Sequence, residues 1–176
     1  VTQPGGFLLL KQAYEIGFAP SKNTMVLDAT CTAQNAEIFW GALKGAGQYV
    51  MMACPYSSSV RVTALGEDIK QRYITQFKRE PNYLPLQGYD AMYTLGMAIK
   101  HAGSTDAKRI IAALNDIKLK GTRGDIQFSQ EQGVWHNQWK GVPAFIFQYT
   151  EVNQSPADAT ILYPPEFANA SIAHPQ

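Results

Sequence analysis

Thr24-Met25-Val26-Leu27-Asp28-Ala29-Thr30 and Tyr49-Val50-Met51-Met52-Ala53-Cys54-Pro55 decide the fold. Each is a short apolar run that ends on polar or ring-bearing residues. The spacing predicts strands over 24–27 and 49–53. Between them it predicts a helix over 33–43, with Ile38, Phe39 and Leu43 inward and Gly45-Ala46-Gly47 closing it. Apolar runs that are continuous, with no alternation, suit strands covered on both faces, as in parallel sheets. Upstream, residues 1–3 read as the end of a strand and Pro4-Gly5-Gly6 break it. A helix is expected over 7–16, with Leu9, Ala13 and Ile16 on its inner stripe and Gly17 as its cap. Strand, helix, strand, helix, strand is the doubly wound α/β pattern.

After Pro55 the pattern changes. Tyr56-Ser57-Ser58-Ser59 reads as a polar crossing segment, and three helices follow with no clear strand between them. The first, 63–79, carries Leu65, Ile69, Tyr73 and Phe77 at i+4 steps. Residues 80–85 read as a loop. The second helix, 87–102, carries Met92, Leu95, Ile99 and Ala102 and stops at Gly103. Ser104 or Thr105 can cap the third, with Ile110, Ile111 and Leu114 inward. Extended chain is expected over 118–128 around a Gly121-Thr122-Arg123-Gly124 turn, and strands over 144–149 and 161–163. The first sheet begins mid-strand, and the central helices have little sheet to cover. Both halves read as the ends of larger layers, so the chain is expected to lack a partner half.

Composition narrows the function. Of 176 residues, 45% are apolar and only 16% charged, against roughly 25% charged in an average soluble domain. That apolar content excludes disorder, and no run approaches the roughly 20 residues of a membrane helix. A net charge of +1 with both signs interspersed leaves no basic stripe for nucleic acid. The 2 cysteines, Cys31 and Cys54, form no CxxC pair, and a disulfide and two buried thiols both remain open. His101, His136 and His174 show no metal-ligand spacing, and no cofactor is expected. Nucleophile elbow, P-loop and GxGxxG are all absent. Glu67 and Asp68 read as solvated helix charges, Arg123-Gly124-Asp125 as a tight turn, and Trp135 and Trp139 as packing residues.

What remains is positional. Ligands of open α/β sheets bind beyond the carboxyl ends of the strands. The candidate ligand-binding residues are therefore Thr2, Gln3, Asp28, Ala29, Thr30 and Tyr56. Asp28 can meet a ligand ammonium or close an Asx turn. Tyr56 can supply a ring wall with a hydroxyl, or pack at a junction.

The order of motifs then resembles a family. Leu10-Lys11-Gln12-Ala13-Tyr14-Glu15-Ile16-Gly17, Gly88-Tyr89-Asp90-Ala91 and Ala98-Ile99-Lys100-His101-Ala102-Gly103-Ser104-Thr105-Asp106 carry the resemblance, with Ile110 to Leu114, Gly121 to Phe128, Ile146-Phe147-Gln148-Tyr149 and Ile161-Leu162-Tyr163-Pro164-Pro165-Glu166. Together they are similar to the carboxyl-terminal half of type I periplasmic solute-binding proteins of the branched-chain amino acid type. The resemblance implies two doubly wound α/β lobes joined by crossing strands and only partly covered by this chain. It places residues 1–52 in lobe two, 53–125 in a crossover and lobe-one helices, and 126–176 in return strands to lobe two. It also implies a periplasmic or lipoprotein location and hinge closure on a small carboxylate-bearing solute, a branched-chain or other amino acid or an aromatic acid. The implied partners are an ABC permease in the membrane and the missing amino-terminal half of the same protein, with no nucleic acid. A ligand-sensing domain of a regulator or receptor is the alternative on the same fold; an enzyme would need a nucleophile-base pair that the sequence does not show. The family often places an acidic residue where this chain has Ala29, one step after Asp28. That departure makes an aromatic or aliphatic carboxylate without an ammonium group a serious candidate.

Overall fold

A computed structural model describes residues 5–176; the strand end expected over 1–3, with Thr2 and Gln3, lies outside them. The described chain forms two compact units, one from Val1–Val60 with Ala144–Gln176, the other from Arg61–Pro143.

The first unit contains helix α1 (Gly5–Glu15), strand β1 (Leu27–Asp28), helix α2 (Ala36–Leu43), strand β2 (Met51–Cys54) and, from the later chain, two further strands, Phe145–Gln148 and Thr160–Tyr163. These last two are β5 and β6, because the second unit contributes β3 and β4. The sheet order is β1-β2-β5-β6. β1 and β2 are parallel, joined through α2, with Leu27 opposite Met51. β5 runs antiparallel to β2, and β6 antiparallel to β5 with a register shift at Ile146/Phe147. The sheet is thus mixed: β1 and β2 are parallel, whereas β5 and β6, joined with no α-helix between them, run antiparallel to their neighbours.

One face of this sheet is sealed. Met52, Cys54, Phe145, Phe147 and Ile161 are all at most 3% exposed. Phe39 of α2 meets Phe7 of α1 and Trp40 edge to face, and Tyr149 tilts against both Phe39 and Trp40, with ring centroids 5.0 to 6.0 Å apart. Tyr149 donates its hydroxyl to the Ala33 carbonyl at 2.7 Å, and burial pushes its phenol above the ordinary value. The other face is open. Leu27 and Tyr163 are 51% and 49% exposed, and with Met51, Ile146, Leu162 and Ile172 they line a recess of about 730 Å³. β2 consequently alternates in burial although its sequence is continuously apolar.

The helices obey the expected ends better than the expected faces. Gly17 takes φ 68° after α1, and Phe18 N–H reaches back to the Ala13 carbonyl at 2.9 Å, a left-handed C-terminal closure. Yet Leu9 and Ile16 point to solvent while Phe7 and Leu10 are buried. In α2 the buried residues are Phe39, Trp40 and Leu43, and Ile38 is exposed. Each helix carries apolar residues on more than one stripe, and it buries the stripe that meets an aromatic partner within the chain.

The second unit contains α3 (Ala64–Phe77), α4 (Tyr83–Ala102), α5 (Ala107–Asp116) and the hairpin β3 (Leu119–Lys120) with β4 (Asp125–Ile126). Asn82 caps α4 by accepting from Leu84 N–H, so the helix starts inside the expected 80–85 loop. Pro85 fits there because the first turn has no intrahelical acceptor for its missing N–H. Asp106, not Ser104 or Thr105, caps α5 by accepting from Arg109 N–H. α4 buries Leu86, Asp90, Thr94 and Ala98 at i+4 steps. Of the expected inward residues, Met92 is 68% and Leu95 39% exposed, and Ile111 of α5 is exposed while Ala113 is buried. α4 and α5 close through Ala98 and Ala113, small side chains that let the helices approach, with Ile117 packed beside them just past the end of α5.

Asp90 explains why α4 turns this way. Its Oδ1 accepts from Thr122 N–H at 2.7 Å, and its Oδ2 accepts from the Thr122 hydroxyl at 2.9 Å and from Arg123 Nε at 3.2 Å. Both side chains of the Asp90–Arg123 ion pair are nearly sealed, 4% and 6% exposed. The Arg123-Gly124-Asp125 turn therefore hides its arginine. α3 also docks on this turn: the Thr63 hydroxyl lies 3.0 and 2.9 Å from the Gly121 and Thr122 carbonyls. A Cβ on Gly66 would sit 2.1 Å from the Thr122 carbonyl oxygen. Truncating one member of a buried, hydrogen-bonded pair strands the other charge, so Asp90→Ala should cost about 3–5 kcal/mol. Urea denaturation followed by helix ellipticity checks this, and a change below about 1 kcal/mol would mean the pair is solvated, as surface pairs are.

Candidate functional site

β1 and β2 are parallel, so their carboxyl ends lie side by side on one rim of the sheet. Three ties hold this rim. The ladder pairs Asp28 with Met52. A disulfide joins Cys31, in the turn after β1, to Cys54, the last residue of β2. The Gln34 side-chain amide donates to the Tyr56 carbonyl. The sequence left the cysteine pairing open, and the structure joins them. Cys31 takes φ 58°, a left-handed conformation uncommon outside glycine and asparagine.

Asp28 builds the turn between β1 and the short 3-10 helix Thr32–Gln34. Its Oδ1 accepts from Thr30 N–H at 2.8 Å and from the Thr30 hydroxyl, and its Oδ2 accepts from the Thr32 hydroxyl. This is the Asx turn weighed in the sequence. Three of the carboxylate's roughly four acceptor positions are occupied from within. Ala29 and Thr30 are exposed, Asp28 half-buried and Tyr56 buried. The rim thus gathers Asp28, Ala29, Thr30 and Tyr56 at adjacent strand ends. Thr32 and Gln34 join them, and the sequence reading passed over both. Alternating Asp28, Thr30 and Thr32 are the signal for the first: a carboxylate followed by hydroxyls two and four residues on. Nothing local announces Gln34, whose partner is 22 residues away.

Among the described residues no group of three or more His, Cys, Asp or Glu could hold a metal ion, and no helix is long and apolar enough to cross a membrane.

Parallel strands joined through a helix, with a polar rim at their carboxyl ends, define an α/β ligand-binding type of fold. The chain belongs to the periplasmic binding protein family, whose model matches residues 1–149. No curated protein matches the sequence. Among solved structures, the leucine-binding protein LivK of Thermotoga maritima is similar at 19% identity and TM-score 0.70, over 93% of this chain and 43% of that one. LivJ of Streptococcus pneumoniae, solved with isoleucine, is similar at 16% identity and TM-score 0.67, over 91% and 42%. A solute-binding protein of an ABC transporter from R. palustris, solved with benzoate, is similar at 17% identity and TM-score 0.65, over 92% and 40%. The chain thus spans about two fifths of the length of these structures. Its fold is that of type I periplasmic binding proteins, the α/β architecture expected from the sequence.

The disulfide closes a loop across 23 positions, for which loop-closure entropy gives about 3 kcal/mol. Cys31→Ser with Cys54→Ser should lose stability by that order. Denaturation midpoints check it: the wild type in reductant should coincide with the double variant, and a midpoint insensitive to both would show that the other two ties suffice.

Proposed function

We propose that this chain is part of an extracytoplasmic solute-binding protein of an ABC importer. The whole protein captures a small carboxylate-bearing solute by hinge closure and delivers it to a membrane permease. The support that carries most weight is the family match over residues 1–149, joined to likeness over more than nine-tenths of the chain with solute-binding proteins. In this reading residues 1–52 and the strands after Ala144 belong to one lobe. The helices between Thr63 and Asn115 belong to the other.

Two physical features favour it. The first is the uncovered apolar surface. The open sheet face carries Leu27, Met51, Ile146 and Tyr163. α4 carries Leu84, Met92 and Leu95 opposite its buried stripe. A sheet or helix that is apolar on opposite sides is built to be covered on both. The cover is a further stretch of the same protein. The second feature is the Cys31–Cys54 disulfide, which suits an oxidising compartment outside the cytoplasm.

Rim residues Asp28, Ala29, Thr30 and Tyr56 are then one side of the solute site; Thr2 and Gln3, the other candidates from the sequence, lie outside the described residues. Asp28 is already engaged by Thr30 and Thr32, and Ala29 brings no charge. The reading therefore favours solutes without an α-ammonium group over amino acids. No catalytic step is assigned.

Calorimetry tests this. Protein carrying both lobes is titrated with branched-chain amino acids and with aromatic and aliphatic monocarboxylates. Saturable heat is expected with a carboxylate, tighter for the acids lacking an amino group, and far weaker heat from the 176-residue chain alone. Silence across the whole panel would sink the proposal; a preference for amino acids would overturn its ligand assignment.

A further inference from the structure

The rim segment from Asp28 to Gln34 is held unevenly. Its start belongs to the ladder, where Asp28 faces Met52. Its end is fixed from outside. The Tyr149 hydroxyl donates to the Ala33 carbonyl at 2.7 Å, and the Gln34 side-chain amide donates to the Tyr56 carbonyl. The middle, Ala29-Thr30-Cys31, is different. Ala29 and Thr30 are exposed. Thr30 donates its N–H and its hydroxyl back to Asp28, and the Cys31 carbonyl accepts from Gln34 N–H at 3.3 Å. These bonds shape the turn from within. Among the described residues, what ties 29–31 to the neighbouring strand is the Cys31–Cys54 disulfide.

Cys31 is also the strained residue of this turn. Its φ of 58° and ψ of 22° lie in the left-handed region, which a residue with a Cβ disfavours. Such a conformation persists only where the surroundings impose it. At Cys31 they act through its sulfur, since the flanking Thr30 and Thr32 both direct their hydroxyls to Asp28. The core next to the rim does not depend on that bond: Phe39, Trp40 and Tyr149 pack on one another without it.

We propose that the Cys31–Cys54 disulfide is a positioning element of the solute rim, and that a dithiol which opens it frees residues 29–31 and weakens solute capture while the sheet stays folded. The effect on capture rests on the solute-binding reading; the effect on the rim does not. The step is thiol–disulfide exchange. Cys54 is 3% exposed and Cys31 half-buried, so the reductant's thiolate attacks the Cys31 sulfur. The protein's S–S bond breaks, Cys54 leaves as a thiolate that takes up a proton, and a mixed disulfide forms at Cys31. The reductant's second thiol then attacks its own sulfur in that mixed disulfide, which releases Cys31 as a thiol and leaves the reductant as a cyclic disulfide. Two electrons pass from the dithiol to the protein. Cys31 is then free to leave the left-handed region, and Ala29 and Thr30 lose their fixed place beside β2. A solute must order them as it binds, and affinity falls.

Backbone NMR relaxation on the 176-residue chain tests the rim. The oxidised chain is compared with the chain in dithiothreitol and with Cys31→Ser/Cys54→Ser. Order parameters at 29–31 should fall from about 0.85 to below about 0.6 on opening the bond, while those of β5 stay near 0.85. Reoxidation should restore them in the wild type. Unchanged order at 29–31, or an equal fall in β5, would overturn the positioning role. Calorimetry with benzoate, on protein carrying both lobes, tests the consequence. Reduction should raise the dissociation constant about tenfold or more. Ile161→Ala is the control for lost stability alone. It empties core volume in β6, at the edge of the sheet away from β1, and should leave the dissociation constant within about twofold. An affinity that reduction does not move, or that Ile161→Ala moves equally, would refute the link to capture. No heat from the oxidised protein would instead count against the solute-binding reading, and the order parameters would still decide the rim.

Discussion

A carboxylate taken out of water must be given donors, and the second unit is organised around that requirement. Asp90 sits in the middle of the buried stripe of α4, where Leu86, Thr94 and Ala98 are its neighbours. Its charge is met by the main chain and hydroxyl of Thr122 and by Arg123. All three donors come from one tight turn, so satisfying Asp90 fixes the hairpin on the helix. Thr63 and the bare Gly66 then bring α3 onto the same turn. Removing the acid would leave a buried guanidinium and a turn with no fixed address. The apolar contacts of Ala98, Ala113 and Ile117 are non-directional and could be made in several registers; the polar knot selects one.

The first unit solves the corresponding problem with aromatic packing and with Asp28. Phe7, Phe39, Trp40 and Tyr149 seal one sheet face. On the rim, a carboxylate again organises a turn, this time with Thr30 and Thr32 as donors. The difference is exposure. Asp90 is buried among its donors, whereas Asp28 is half-buried at strand ends. It lies beside exposed Ala29 and Thr30, where main-chain groups can still meet solvent or solute.

These two acids also mark how much the sequence could tell. Elements and their ends were legible where their signals are local: Gly17 and Gly103 closing helices, the glycines of the 121–124 turn. The burying faces of the helices were less legible. Leu9, Ile38, Met92, Leu95 and Ile111 belong to apolar stripes as regular as the buried ones, and periodicity alone cannot rank two stripes on one helix. What ranks them is a partner far away in sequence: Thr122 and Arg123 for α4, Tyr149 for α2. On the rim, Asp28, Thr30 and Tyr56 could be placed at strand ends by the general rule for α/β sheets. Gln34, and the choice between a disulfide and two thiols, depended on the parallel pairing of β1 with β2, which composition does not encode.

The stripes expected inward and found outward are informative in a second way. Exposed single apolar residues are ordinary on any surface. Here they fall in register, along α4 as exposed Leu84, Met92 and Leu95 and across the sheet as exposed Leu27 beside half-buried Met51 and Ile146. A helix stripe and a sheet face that keep helical and strand spacing on their solvent side have been patterned for a layer, because scattered exposure would not preserve the period. In the proposed solute-binding reading the layer that covers them is more of the same protein. The rim at Asp28 is then rigid on one side by its own ties, and ligand contacts from that side need no rearrangement of β1 or β2 as the solute is enclosed.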